Sequence, residues 1–324
     1  MIFVFLSTSF CSWLFLFFLI PQLRRRLLDL PNIRSSHTHP TPLGGGLSFV
    51  LFSFVSSSIS LFCGDRSSIS VIPLLATPLA IVGLLDDRYN LPVFSRFCVQ
   101  LLTGGAILGI SSFSESLSSI FAGSLYLVPF ILFLLVVVIS LINFINFMDG
   151  LDGLVAGCML VAIAVLSFIL HSPWCIWTLC GSLFGFLLWN WSPAKVFMGD
   201  VGSTFLGAVF SGLVFQATSW ADSIAFLLLA TPLLADACFC VARRLIAGQR
   251  VFQPHRLHLF QRLHQCGWSH STVSMTYITA TAVLGVGMVA GGLLWVLGLV
   301  FVEILIGVWL DQYVAVPFAV ASRN

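Results

Sequence analysis

The sequence predicts an all-α, polytopic integral membrane bundle of about eleven transmembrane helices, built as one domain over residues 1–324. Three observations carry that reading. Apolar runs long enough to cross ~30 Å of hydrocarbon recur from end to end. Of the 324 residues, 59% are apolar and only 8% are charged, a composition that excludes a pair of soluble domains. The runs are also continuous rather than alternating, which excludes a transmembrane barrel.

In chain order the expected spans are 2–20, 46–63, 69–85, 97–113, 119–142, 154–171, 174–190, 203–219, 223–242, 273–291 and 293–316, and merging the last two would leave ten. The first run lacks a basic leader. Its positive cluster, Arg24-Arg25-Arg26, follows the apolar stretch, and no small-residue cleavage site precedes that cluster. An uncleaved first helix with its N-terminus outside is therefore expected. Alternation then puts 13 of the 14 basic residues on the cytoplasmic side, leaving Arg66 alone outside. The outer connections, near Asp65, Glu115, His171 and Asp222, are short and chemically poor. The nine cysteines are scattered without paired zinc or redox spacing and read as small hydrophobic fillers.

What remains is a set of polar islands, all on the predicted cytoplasmic face. The first, Pro31 to Gly46, is rich in proline and glycine; it reads as a turn with tight helix packing, or as bare N–H groups available to an anion. The second is Asp86-Asp87-Arg88, at the inner end of its span. Adjacent carboxylates there repel each other and meet the negative end of the helix dipole, so a divalent ion or an arginine such as Arg88 has to compensate. The third runs from Asn143 to Leu154, where Asn146, Asp149 and Gly153 would share a face if a helix began there. The fourth, Asn190 to Ser203, holds Lys195, the only lysine, as a phosphate ligand or a snorkelling side chain. It also holds Phe197, as a stacking platform or packing, and Asp200, as a helix cap or a metal ligand. The last and longest loop, Arg243 to His270, carries five arginines and four histidines; it reads as a phosphate-facing surface or as a polybasic contact with anionic lipid. Its histidines at 255 and 258 have metal-ligand spacing but no third soft ligand nearby in the sequence. Carboxylates gathered near a bilayer are expensive, and they point to a metal-dependent enzyme acting on a lipid at the membrane surface.

Pro42 to Gly46, Asp86-Asp87-Arg88 with Leu91-Pro92, Asn143 to Leu154, Phe197 to Ser203, and His255-Arg256-Leu257-His258 with Gln261-Arg262-Leu263 occur in that order. Together they resemble the polyprenyl-phosphate N-acetylhexosamine-1-phosphate transferases, the membrane family that includes WecA, WbpL and the more distant MraY. The resemblance implies transfer of an N-acetylhexosamine (or 6-deoxy-N-acetylhexosamine) 1-phosphate from its UDP-sugar to undecaprenyl phosphate, with UMP released. The setting it implies is the bacterial cytoplasmic membrane, at the first membrane step of O-antigen or related polysaccharide synthesis. By the same resemblance Asp86, Asp87 and Asp200 would handle Mg²⁺ (or Mn²⁺) and the attacking phosphate. Asn146, Asp149, Asp152, Asn190 and Phe197 would line the nucleotide site, and His255, Arg256 and His258 would meet the diphosphate. Membrane lipids are expected around the bundle, a homodimer is compatible with the resemblance, and no nucleic acid is expected as a partner.

The His-Arg-Leu-His step departs from the run of histidines typical of MraY and argues against a peptidoglycan-precursor transferase. Leu43 stands where a basic residue is common, which weakens a phosphate contact there. The rival from another class is a secondary transporter using Asp236 and Glu303, but the polar residues sit at one surface and no internal repeat is visible.

Overall fold

A computed structural model describes residues 1–31, 39–113, 125–249 and 255–322. Arg34, Glu115, Arg250 and Arg323, which entered the topology reading, lie outside the described residues, as do 119–124 of the fifth expected span. The helices are α1 (Ile2–Arg26), α2 (Leu47–Phe62), α3 (Ser68–Tyr89), α4 (Val93–Gly109), α5 (Leu127–Phe147), α6 (Leu154–Ile169), α7 (Trp174–Asn190), α8 (Asp200–Val214), α9 (Trp220–Leu228), α10 (Thr231–Ile246), α11 (Leu259–Gln265), α12 (His270–Tyr313) and α13 (Phe318–Ala321). A two-residue antiparallel ribbon, β1 (Leu28–Asp29) with β2 (Thr41–Pro42), closes the loop after α1.

Helices α1, α3, α5 and α12 are long and apolar enough to cross a membrane, and the pair α9–α10 makes a fifth candidate. With the shorter apolar helices α2, α4, α6, α7 and α8, the chain is a polytopic helical membrane protein. One departure from the expected spans matters: the straight span 223–242 is instead α9 and α10, bent by 80° at their junction. The last two expected spans are both present, as two helical halves of α12 that meet at Gly292, whose φ of 62° is non-helical. Glycine has no Cβ to clash in that region, so the chain turns there.

Packing explains how the islands meet. Every residue of α8 from Val201 to Val214 is buried, so this helix forms the centre of the bundle. Without a hydrophobic drive between helices in lipid, close approach depends on small residues. A Cβ on Gly83 of α3 would lie 2.5 Å from the Asp200 carbonyl, and one on Gly207 of α8 would lie 2.8 Å from Ile142 Cα of α5. A Cβ on Gly46, before α2, would lie 2.6 Å from Gly202 Cα. At the periphery, α1 buries only Ser9, Ser12, Leu16, Ile20 and Leu23, a single stripe at helical spacing. That stripe meets α7, where the Ser12 hydroxyl donates to the Ser182 carbonyl at 2.8 Å.

Candidate active site

The Gly83–Asp200 contact sets the geometry of the carboxylates, because it lays the end of α3 against the first turn of α8. Asp87 then acts on α8 from outside that helix. Its Oδ1 accepts from the Asp200 backbone N–H at 3.2 Å, satisfying a donor that a helix start leaves open. Gly199, at φ 76°, occupies the cap position, and Asp87 Oδ2 would lie 2.5 Å from any Cβ placed there. That same Oδ2 is buried with no hydrogen-bond partner among the described residues. Asp200 is not a side-chain cap but the first residue of α8, where the helix dipole favours a carboxylate.

Asp86 is occupied on both oxygens. Oδ1 accepts from the Leu91 N–H at 2.7 Å, a contact made because Asn90 ends α3 in the left-handed region and turns the chain back. Oδ2 pairs with the Arg96 guanidinium, which also lies 3.6 Å from Asp200 Oδ2. The compensating arginine is therefore Arg96 and not Arg88, whose guanidinium sits 5.2 Å from the centre of the Tyr89 ring. The available signal for Arg96 was a cation at the start of the helix that follows the acidic pair.

Asn146, in the last turn of α5, completes the cluster. Its Oδ1 accepts from the Ser203 hydroxyl at 2.5 Å, and its side chain also bonds Asp200. Asp149 follows just past the helix end, and Gly153 at φ 74° precedes α6. The chain reverses between them, so Asn146, Asp149 and Gly153 do not share a helical face as the spacing predicted. Burial, with the charges of Asp200 and Asp152, pushes the Asp149 carboxyl up to about 7.

Three residues expected to line a substrate are braces in this geometry. Asn190 accepts from the Gly153 N–H and donates to the Val196 carbonyl, both at 3.0 Å, so its amide is spent on backbone. Asp152 is buried, with Oδ2 3.1 Å from the Ala194 N–H and 3.2 Å from His270 Nδ1. Burial opposes its charge, but the His270 contacts outweigh that and hold the carboxyl below the usual range. His258 is 2% exposed and lies 3.5 Å from Asp236. Burial works against its charged form, yet Asp236 and Cys240 hold the imidazole up to about 9.

Asp236, one of the two residues a transporter would use, is a brace in this structure. Its carboxylate accepts from the Leu259 N–H (2.7 Å), the Phe260 N–H (3.0 Å) and the Tyr277 hydroxyl (2.8 Å), which fixes the start of α11. Arg243 grips Asp311 with both terminal nitrogens, at 2.8 and 2.6 Å. Asp311 also pairs with the buried Arg262. Phe260 in turn packs on the third island, 3.1 Å from a Cβ on Gly150. His255 remains half-buried, pushed down to about 3 by burial and then by the positive charges of His258 and Arg244. The Arg256 carbonyl accepts from Gln265 Nε2 at 3.1 Å.

The glycine run is not an anion cradle at Gly45 and Gly46. Their N–H groups donate to the Phe197 and Met198 carbonyls at 2.8 and 3.0 Å, so the tight-packing reading holds. Phe197, half-buried, ties the same seam through its own N–H to Pro42 at 2.8 Å. Lys195 lies 5.2 Å from the centre of the Trp189 ring, a cation–π contact. Glu303, which a transporter would use, has both carboxylate oxygens buried and without a hydrogen-bond partner among the described residues.

The family model of glycosyl transferase family 4 matches residues 68–218, from the start of α3 past the end of α8. The decaprenyl-phosphate N-acetylglucosaminephosphotransferase of Mycobacterium leprae is 31% identical over 310 residues, covering 83% of this chain and 76% of that protein. The undecaprenyl-phosphate alpha-N-acetylglucosaminyl 1-phosphate transferase of Salmonella typhi is 30% identical over 284 residues, covering 82% and 76%. A phospho-N-acetylmuramoyl-pentapeptide-transferase of Staphylococcus haemolyticus is 27% identical, covering 82% and 91%. Identity at this level across most of both chains, with the matched region holding the whole carboxylate cluster, places the protein in glycosyl transferase family 4.

Proposed function

We propose that this protein transfers an N-acetylhexosamine 1-phosphate, or a 6-deoxy relative, from its UDP-sugar to a polyprenyl phosphate of the undecaprenyl type, releasing UMP. The observation that carries the reading is the meeting of Asp87 and Asp200 from separate helices, with one Asp87 oxygen buried and without a hydrogen-bond partner among the described residues, inside the region matched by the family. The reaction joins two anions. A lipid phosphate oxygen attacks the phosphorus that bears the sugar, the bond to the UMP phosphate breaks, and UMP leaves with the electron pair.

The residues fit a hard divalent cation such as Mg²⁺, because the donors are carboxylate oxygens and Asp87 Oδ2 has no hydrogen-bond partner among the described residues. Asp87 and Asp200 would hold it, with Asp86 oriented behind them by Leu91 and Arg96. When bound, the ion screens the approaching phosphates and the charge that develops on the leaving group. Arg96 keeps Asp86 and Asp200 in register, and Asn146 fixes the Asp200 side chain. Asp149, with its carboxyl raised to about 7, is positioned to hold or release a proton beside the cluster near neutral pH.

The reading puts the site on the cytoplasmic face of a bacterial inner membrane, with the N-terminus outside, at the start of O-antigen or related surface-polysaccharide synthesis. It is supported by the basic residues that share a side with the cluster. Purified protein with undecaprenyl phosphate, Mg²⁺ and a panel of UDP-sugars, including the muramoyl-pentapeptide donor, tests it. One lipid-linked amino-sugar product and matching UMP release are expected. Product from the pentapeptide donor alone, or no exchange of labelled UMP into any UDP-sugar, would overturn it.

A further inference from the structure

The His255–His258 pair had metal-ligand spacing but no third soft ligand beside it in the sequence. The fold supplies one from 15 residues upstream, where Cys240 lies on α10 one turn after Asp236. One donor atom from each of Cys240, His255 and His258 lies within 4.8 Å of the others. We propose that these three side chains form a binding site for a thiophilic divalent cation of the Zn²⁺ class, separate from the carboxylate cluster.

Four features support the assignment. The donors are one sulfur and two imidazoles, which suit Zn²⁺ and not Mg²⁺, an ion that takes oxygen. Tetrahedral Zn²⁺ with bonds of about 2.0–2.3 Å sets its ligands roughly 3.3–3.8 Å apart, so closing the triangle takes a shift of about 1 Å. The half-buried His255 ring, stacked 5.0 Å from His258, has room to make that shift. His258 is 2% exposed and Cys240 is 4% exposed, so two of the three donors are shielded from water.

The fourth feature is the surroundings. His258 Nδ1 is 3.5 Å from Asp236 Oδ1, and Asp236 is held rigidly by Leu259, Phe260 and Tyr277. A carboxylate behind a histidine is the arrangement that orients metal-binding imidazoles. Charge is also accounted for. A Cys240 thiolate and Asp236 bring two negative charges, against Arg244 nearby and the proton that His258 would give up to a bound ion. A bound ion would clamp the 255–258 turn to α10. Binding rests on geometry alone and does not require the transferase reading, so each can fail without the other.

Co²⁺ gives the clearest test. Chelator-stripped, reduced protein in detergent is expected to take up one equivalent of Co²⁺ at micromolar concentration, with a thiolate-to-Co²⁺ charge-transfer band that one equivalent of Zn²⁺ abolishes. Cys240→Ser and Cys240→Ala should each lose the band, and Zn²⁺ affinity should fall by more than about 100-fold, since losing even an outer partner costs about 10–100-fold. Cys238→Ser should keep both, because Cys238 is exposed and faces another way on α10. Thermal unfolding checks that each variant is folded. Wild-type protein that takes up no stoichiometric Co²⁺ or Zn²⁺, or a folded Cys240 variant that keeps the band, overturns the proposal.

Discussion

Replacing Asp87 by Asn should separate stability from activity in opposite directions. The side chain keeps its size, and its Oδ1 can still accept from the Asp200 N–H. What disappears is a buried carboxyl oxygen that has no partner among the described residues and that Asp200 and Asp86 crowd with like charge. A buried polar atom left unsatisfied costs about 1–3 kcal/mol. Since the new amide nitrogen recovers only part of that, about 1 kcal/mol of stabilisation, roughly 2 °C in Tm, is expected in metal-free detergent. Turnover should move the other way. Losing a charged group that acts in the transition state costs on the order of 10²-fold or more, about 2.7 kcal/mol. A third readout ties the two together. Mg²⁺ at a hundred times its Kd should stabilise the wild type by about 2.7 kcal/mol and leave Asp87→Asn nearly unmoved. Tm with and without Mg²⁺, together with UMP release, measures all three. An Asp87→Asn protein that keeps more than about a tenth of wild-type turnover, or that Mg²⁺ stabilises as it does the wild type, would refute the assignment of Asp87 to the cation.

Arg96→Lys should lower UMP release by roughly 10–100-fold, because one ammonium cannot span Asp86 and Asp200 as the guanidinium fork does, whereas Arg88→Ala should stay within about threefold. Arg262→Lys should destabilise the fold by about 1–3 kcal/mol in thermal unfolding, since Arg262 is 2% exposed and its fork binds the Leu257 and Val316 carbonyls as well as Asp311, which a lysine cannot do together. The raised Asp149 carboxyl gives a pH signature: the folded state keeps a proton that the unfolded chain releases, so stability in metal-free detergent should fall as pH rises from about 4 to about 7, and Asp149→Asn should flatten that slope. Single cysteines placed at Tyr89 and Lys195 should react with an impermeant thiol reagent only from the cytoplasmic side, and one at Ser67 only from outside; outside labelling at Lys195 would reverse the orientation.

How much of this was legible in the sequence follows from the range of each interaction. Helical class and membrane residence depend on composition summed over long windows, so they were readable, as were Asp86, Asp87, Asn146 and Asp200 from their density in a chain that is only 8% charged. The 80° bend between α9 and α10 was not, because an apolar run records that a segment is buried in lipid and not whether it is straight. The partners were the least accessible. Arg88 adjoins the acidic pair in sequence, yet the left-handed Asn90 reverses the chain and hands both Asp86 and Asp200 to Arg96. Asn190, Asp152 and His258 drew a substrate reading because polar residues in an apolar chain invite one. A bundle held by helices of unequal length must also satisfy backbone groups wherever its loops dive inward; Asn190 and Asp152 meet that need at Gly153 and Ala194, and His258 sits against the Asp236 carboxylate that meets it at the start of α11. The same logic applies to the glycines. Gly45 and Gly46 lie where an anion cradle was one reading, but their N–H groups and missing side chains serve the approach of α2 to α8. That approach, with the Gly83 contact, brings the two carboxylate-bearing helix ends together, so in this protein the residues that build the site outnumber those that would touch a substrate.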